Sequence, residues 1–197
     1  MKDARVINIA NFKGGVGKTT TTTVTAYCLS KLGYRCLVID FDPQGNATEI
    51  LLPDFNYDLP TIHEALLEKN LRRALHPVKE NLDVITADLD LVGFSLMLDK
   101  ERRSVDEKAR VLRNLIEPLR QDYDYIFIDV PPTISDFTNN ALTAADYVII
   151  VLQTQGHSFS AAEKFLPYIS QIAENYNEDL NLLGIVPPGF NDAGIRG

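Results

Sequence analysis

Eight consecutive residues, Lys13-Gly14-Gly15-Val16-Gly17-Lys18-Thr19-Thr20, bring two cations, three glycines and two hydroxyls together. Glycines at 14, 15 and 17 let the backbone curl with its N–H groups pointing inward. An apolar run containing Val6, Ile7 and Ile9 precedes the segment, and a helix-compatible stretch over residues 19–32 follows it. Strand, glycine turn and helix in that order place the positive end of a helix dipole at the turn, where anions are favoured. The chemistry this suits is phosphate binding. Lys18 is expected to reach the β- and γ-phosphates of a nucleotide as a point charge, and the Thr19 hydroxyl to ligate the Mg²⁺ that bridges them. Thr20 is a candidate α-phosphate contact, while Thr21, Thr22 and Thr23 read as packing residues.

Carboxylates recur at the ends of apolar runs. Cys36-Leu37-Val38-Ile39 closes on Asp40, with Asp42 two residues on at the head of the turn Asp42-Pro43-Gln44-Gly45-Asn46; Tyr125-Ile126-Phe127-Ile128 closes on Asp129. Continuous apolar runs of this length are the pattern of strands buried on both faces in a parallel sheet. In an open α/β sheet the carboxyl ends of such strands share an edge with the glycine loop. Asp40 and Asp42 are therefore expected to face the nucleotide. Asp129 is expected to reach Mg²⁺ through a water, the role of the strand-end aspartate in P-loop enzymes.

The elements that must position these groups follow from periodicity and punctuation. Residues 5–10 form a first strand, and a helix over 17–32 stops at Gly33, as expected where the chain must turn left-handed. Thr61 with Glu64, and Ser104 with Glu107, have the spacing of capping boxes, predicting helices to about residues 69 and 120. The second of these carries an apolar stripe of Val105, Ala109, Leu112, Leu115 and Ile116, and its basic residues read as a solvated face with i,i+4 pairs. Further strands are predicted over 82–87, 147–152 and 180–186, with a helix between the last two from Ser160 to about Tyr176. Strands alternating with helices give an α/β fold: one domain over residues 1–197, with a doubly wound, mainly parallel sheet flanked by helices.

The bulk composition, 45% hydrophobic without tryptophan, is that of an ordered globular domain, and the net charge of −8 argues against the whole domain being an electrostatic nucleic-acid binder. No apolar stretch reaches membrane-spanning length and the N-terminus has no signal-peptide core, so a cytoplasmic protein without membrane association is expected. Cys28 and Cys36 have no metal-ligand pattern around them and read as small buried hydrophobes. His63 and His76 lack companions at metal spacing and read as structural or exposed.

The usual first glycine of G-x-x-x-x-G-K-[ST] is missing, since neither Asn11 nor Phe12 supplies it; what stands there is Lys13. Lysine directly before Gly-Gly-Val-Gly-Lys-Thr-Thr resembles the deviant P-loop of the ParA and MinD class of ATPases. Asp40 through Thr48 looks like that family's second motif. Asp129-Val130-Pro131-Pro132-Thr133, followed by Thr138, Asn140, Ala141 and Leu142, looks like its switch, with Val130 where members often have cysteine. The resemblance implies a nucleotide-sandwich dimer in which Lys13 reaches the phosphates bound by the partner subunit. It also implies that Asp40 supports the Mg²⁺ shell and that Asp42 positions the attacking water.

The function implied is a Mg²⁺-dependent ATPase acting as an ATP-driven dimerisation switch in plasmid or chromosome partitioning. Catalysis would rest on Lys13, Lys18 and Asp42, and the phosphates on residues 13–20. Non-specific DNA and a centromere-binding, ParB-type protein are the implied partners, with a nucleoid-associated location. Family members usually continue through further helices that hold the base and carry DNA-contacting residues, whereas residues 1–197 stop soon after a strand, as either a short member or a truncated one would. Pro187, Pro188 and Asn191 stand near the adenine region without assigned roles. Two alternatives remain open: an ATP-binding, DNA-associated regulator or scaffold with little turnover, and a MinD-like membrane-associated ATPase. An iron–sulfur reductase of the same group needs cysteines near the switch, and a bacterial tyrosine kinase needs a terminal tyrosine cluster; the sequence offers neither.

Overall fold

Among the described residues, seven strands form one sheet in the order β3-β4-β2-β5-β1-β6-β7. The computed structural model describes residues 3–11, 15, 17–101, 104–152 and 158–186, without the side chains of 158–164. The strands are β1 Arg5–Ala10, β2 Cys36–Asp40, β3 Leu75–Lys79, β4 Leu82–Ile85, β5 Tyr125–Asp129, β6 Tyr147–Val151 and β7 Asn181–Val186. All pairings are parallel except β3 with β4.

Helices α1 Lys18–Lys31, α2 Asn46–Leu51, α3 Ile62–Leu67, α4 Phe94–Lys100, α5 Val105–Ala109, α6 Val111–Ile116, α7 Asp136–Ala144 and α8 Ser158–Tyr176 connect them. Alternate residues of β1 serve two hydrophobic clusters: Val6 and Ala10 belong to one, Ile7 and Ile9 to the other. The sheet is thus covered on both faces, as a doubly wound fold requires. β1 and β5 lie at its centre with Asn8 opposite Ile128, and β2 lies beside β5 with Asp40 opposite Asp129. That register brings two strand-end carboxylates side by side.

Three sequence expectations are corrected. Residues 104–120 are not one helix. The Ser104–Glu107 capping box is present, but the helix breaks at Arg110 between α5 and α6. Asn140 of α7 holds the break: its side chain accepts from Leu112 N at 3.1 Å and donates to Lys108 O at 3.0 Å. Val105, assigned to the apolar stripe, is 70% exposed. Cys28 is exposed, whereas Cys36 is buried as expected.

The reason for Cys28 lies in α1, whose inner face is small and polar: Thr22 and Thr23 are buried while Val24 and Tyr27 are exposed. Each buried hydroxyl donates to the carbonyl four residues back, to Lys18 O and Thr19 O, so threonine serves there without leaving an unpaired polar group. The Thr61–Glu64 capping box forms, with α3 ending at Leu67. Asp106 and Arg110 make the i,i+4 pair anticipated on the solvated face.

Candidate nucleotide-binding site

The turn after β1 ends at Gly17, whose φ of 83° places it in the left-handed region, and α1 begins at the next residue. No side chain caps this helix start, and its first turn carries no acidic residue. The first N–H groups of α1 are therefore left for an external acceptor. Gly15, Gly17, Lys18, Thr19 and Thr20 line one wall of a cleft of about 530 Å³; Asp42, Gln44, Asn46 and Ile50 line a second, and Val130 with Pro132 a third. Lys13, Gly14 and Val16 lie outside the described residues, so the loop's cation before the glycines is left to its sequence expectation.

Two carboxylates, Asp129 and Asp42, act on the buried Lys18. Burial lowers its ammonium pKa, and the charges of Asp129 and Asp42 oppose that shift. Asp129, at the end of β5, accepts a 2.7 Å hydrogen bond from Thr19 Oγ1. Burial raises its carboxyl to about 6, with the Thr19 hydrogen bond and Lys18 pulling the other way and Asp42 adding repulsion. Asp40 is pushed further, to about 7, by burial and by Asp129 beside it. A site this crowded with carboxylates, joined by one cation and one helix start, suits a divalent metal carried on an anion of several negative charges.

Among the described residues no group of three or more His, Cys, Asp or Glu side chains could hold a metal by itself. Mg²⁺ takes few protein ligands and most of its shell from water and phosphate, so one hydroxyl and one carboxylate, those of Thr19 and Asp129, fit its demands.

Asp42 and Asp40 part ways. Asp42 lines the cleft, and its Oδ1 accepts from Gln44 N at 2.9 Å. Asp40 is fully buried; one oxygen accepts from Thr48 N at 2.7 Å and Thr48 Oγ1 at 2.8 Å, the other from Asp42 N at 3.3 Å. Its contacts run to the protein behind the cleft wall. Phe41, between them, points inward: its ring meets those of Phe94 and Phe137 edge-on, with centroids 5.0 and 5.2 Å away. Such pairs contribute roughly 0.5–1.5 kcal/mol each beyond buried area. Phe41 is anchored in the core, and Asp42 next to it lines the cleft. Gln44, Asn46, Ile50 and Pro132 had no role assigned from sequence; Gln44, Asn46 and Pro132 are marked only by their place in the two motifs, and Ile50 by nothing local.

The AAA domain family model matches residues 4–182. Over 189 residues the chain is 39% identical to the chromosome partitioning protein ParA of Myxococcus xanthus, covering 95% of this chain and 65% of that protein. Over 186 residues it is 35% identical to the sporulation initiation inhibitor protein Soj of Bacillus subtilis, covering 92% and 71%.

The chain belongs to the ParA-like P-loop ATPase family. It spans about two thirds of the length of these two relatives. A solved ParA-like fold from Mycobacterium smegmatis, cobyrinic acid a,c-diamide synthase with bound ADP and magnesium, superposes with a TM-score of 0.85 at 37% identity, covering 93% of this chain and 74% of that one. A plasmid partition protein from Borrelia burgdorferi gives a TM-score of 0.79 at 30% identity, covering 94% and 79%. No helix among the described residues is long and apolar enough to cross a membrane.

Proposed function

We propose that this ParA-like protein binds Mg²⁺-ATP in the 530 Å³ cleft, hydrolyses it, and uses the cycle as a dimerisation switch in DNA partitioning. The observation that carries the reading is the convergence of Lys18, Thr19, Asp42 and Asp129 on the uncapped start of α1. Support for the partitioning role comes from the relatives named for chromosome and plasmid partition.

In this reading the phosphates lie against the N–H groups of residues 14–20, with Lys18 offsetting their charge. Thr19 and Asp129 hold Mg²⁺, which when bound neutralises charge on the phosphate oxygens. Asp42, held at the cleft by the Gln44 N–H, orients the attacking water. Lys13 of a second copy completes the charge stabilisation, as an arginine finger does in other P-loop enzymes. Non-specific DNA and a ParB-type protein are the proposed partners, with the nucleoid as the place of action.

The test pairs Lys18→Ala with Asp42→Ala and measures ATP affinity, turnover with and without double-stranded DNA, and mass in ATP and in ADP. Lys18→Ala is expected to weaken nucleotide binding about 100-fold, the scale of a lost charge-assisted contact. Asp42→Ala is expected to bind ATP normally, remain dimeric and cease turnover. Parental turnover in Asp42→Ala overturns its role, and binding without turnover in the parent protein favours the regulator or scaffold.

A further inference from the structure

We propose that Thr48 is a positioning residue for turnover, holding the segment from Asp40 to Asn46 so that Asp42 stands at the cleft. The proposal rests on the role given to Asp42 above.

Thr48 is fully buried, far down the motif from the carboxylate it serves. Its hydroxyl donates to Asp40 at 2.8 Å and accepts from Ala87 N at 2.9 Å, so one side chain ties the end of β2 to the segment just beyond β4. Its backbone N–H, at the third position of α2, donates to the same Asp40 oxygen at 2.7 Å. The second Asp40 oxygen then accepts from Asp42 N.

Ala87 closes the device from the other side. Gly45 has φ +63°, and a Cβ there would stand 3.0 Å from the Ala87 carbonyl oxygen, so the turn lies directly on that peptide. Gly45 N donates to Asp42 O at 2.9 Å and Gln44 N to Asp42 Oδ1 at 2.9 Å. The Asp42 backbone is thus fixed from Asp40, and its side chain from Gln44, while Thr48 holds both ends of the frame. Asp40 works here as a structural acceptor, which accounts for a fully buried carboxylate behind the wall of the cleft.

Thr48→Val keeps the shape and removes the hydroxyl, leaving Ala87 N–H and one Asp40 oxygen each short of a partner. Small displacements of a positioning group cost rate more than affinity, so Thr48→Val is expected to lower kcat about tenfold or more and to leave the Kd of a fluorescent ATP analogue with Mg²⁺ within about threefold. Thr48→Ser restores the hydroxyl and is expected to restore kcat. In the Asp42→Ala background, adding Thr48→Val is expected to change residual turnover less than about twofold, because the two act through one group.

Asp40→Asn loosens the same frame from its other side and carries the test if the valine variant does not fold: lower kcat with an unchanged Mg²⁺ midpoint agrees with positioning. A raised Mg²⁺ midpoint at unchanged saturating kcat overturns it. So does a fully active Thr48→Val beside an inactive Asp42→Ala, or loss of binding together with turnover that serine fails to rescue. Parental turnover in Asp42→Ala removes the role of Asp42 and this proposal with it.

Discussion

Thr19 Oγ1 donates a 2.7 Å hydrogen bond to the Asp129 carboxylate, joining the first turn of α1 to the end of β5 across 110 residues of sequence. The hydroxyl and the carboxylate are the two groups proposed to hold Mg²⁺, and each orients the other before any ion arrives. Removing a group that ligates or orients at a metal typically costs 10–100-fold in affinity. Thr19→Ala is therefore expected to raise the Mg²⁺ concentration for half-maximal ATP turnover at least about tenfold, while ATP affinity in EDTA changes by no more than about twofold. A magnesium titration of turnover, with nucleotide binding measured in parallel, decides it.

A second pair stabilises the sheet. Arg120 makes a bidentate contact with Asp146, Nη1 to Oδ2 at 2.9 Å and Nη2 to Oδ1 at 3.1 Å, and Asp146 also accepts from Val6 N at 2.7 Å. Arg120 Nη1 donates to Ala4 O as well, so the pair fastens the start of β1 to the start of β6. The arginine side chain is only 14% exposed, and its removal strands a carboxylate in partly desolvated surroundings. Arg120→Met is expected to lower unfolding free energy by about 2 kcal/mol, read from the shift of a urea transition.

The two cysteines should differ in reactivity. Burial, reinforced by the charge of Asp124, pushes the Cys36 thiol up to about 12, and the side chain is fully buried. Cys28 is exposed on α1. Thiolate is the reacting species, so near pH 8 the folded protein should take up one equivalent of a maleimide or disulfide reagent, at Cys28, and a second after denaturation. Rapid labelling of both thiols in native buffer would mean that the start of β2, between β4 and β5, opens readily.

β1, β2 and β5 were legible in the sequence because each apolar run is continuous and ends on a residue with a chemical reason to be there: a glycine turn, Asp40 or Asp129. What escaped depends on partners far along the chain. β3 contains Pro77, which reads as a break; the structure tolerates it because β3 is an edge strand with a register shift between Pro77 and Lys79. α2 is six residues long and begins where Asp40 caps the Thr48 N–H, a contact no local pattern announces. The break at Arg110 lies inside an apolar periodicity that continues across it, and Asn140, 28 residues beyond Leu112, decides where it falls. Cys28 falls on the outer side because the buried face of α1 is made by Thr22, Thr23, Ala26 and Ser30, small residues whose pattern does not stand out as an apolar stripe. In the site itself, Asp40 and Asp42 look equivalent in sequence, and their partners separate them: Asp40 accepts from Thr48 behind the cleft, Asp42 from Gln44 at its wall.

The strand order also sets a timetable for biosynthesis. β1 leaves the ribosome first, yet its neighbours on either side are β5 and β6, at residues 125–129 and 147–151. The glycine loop that follows β1 therefore has no platform to sit on until both of those later strands have been translated. Long-range parallel pairing of this kind is slow and leaves apolar strands unprotected meanwhile. The nascent chain is a natural client for chaperones that hold apolar segments, and nucleotide can stabilise it only once β5 and β6 have joined β1.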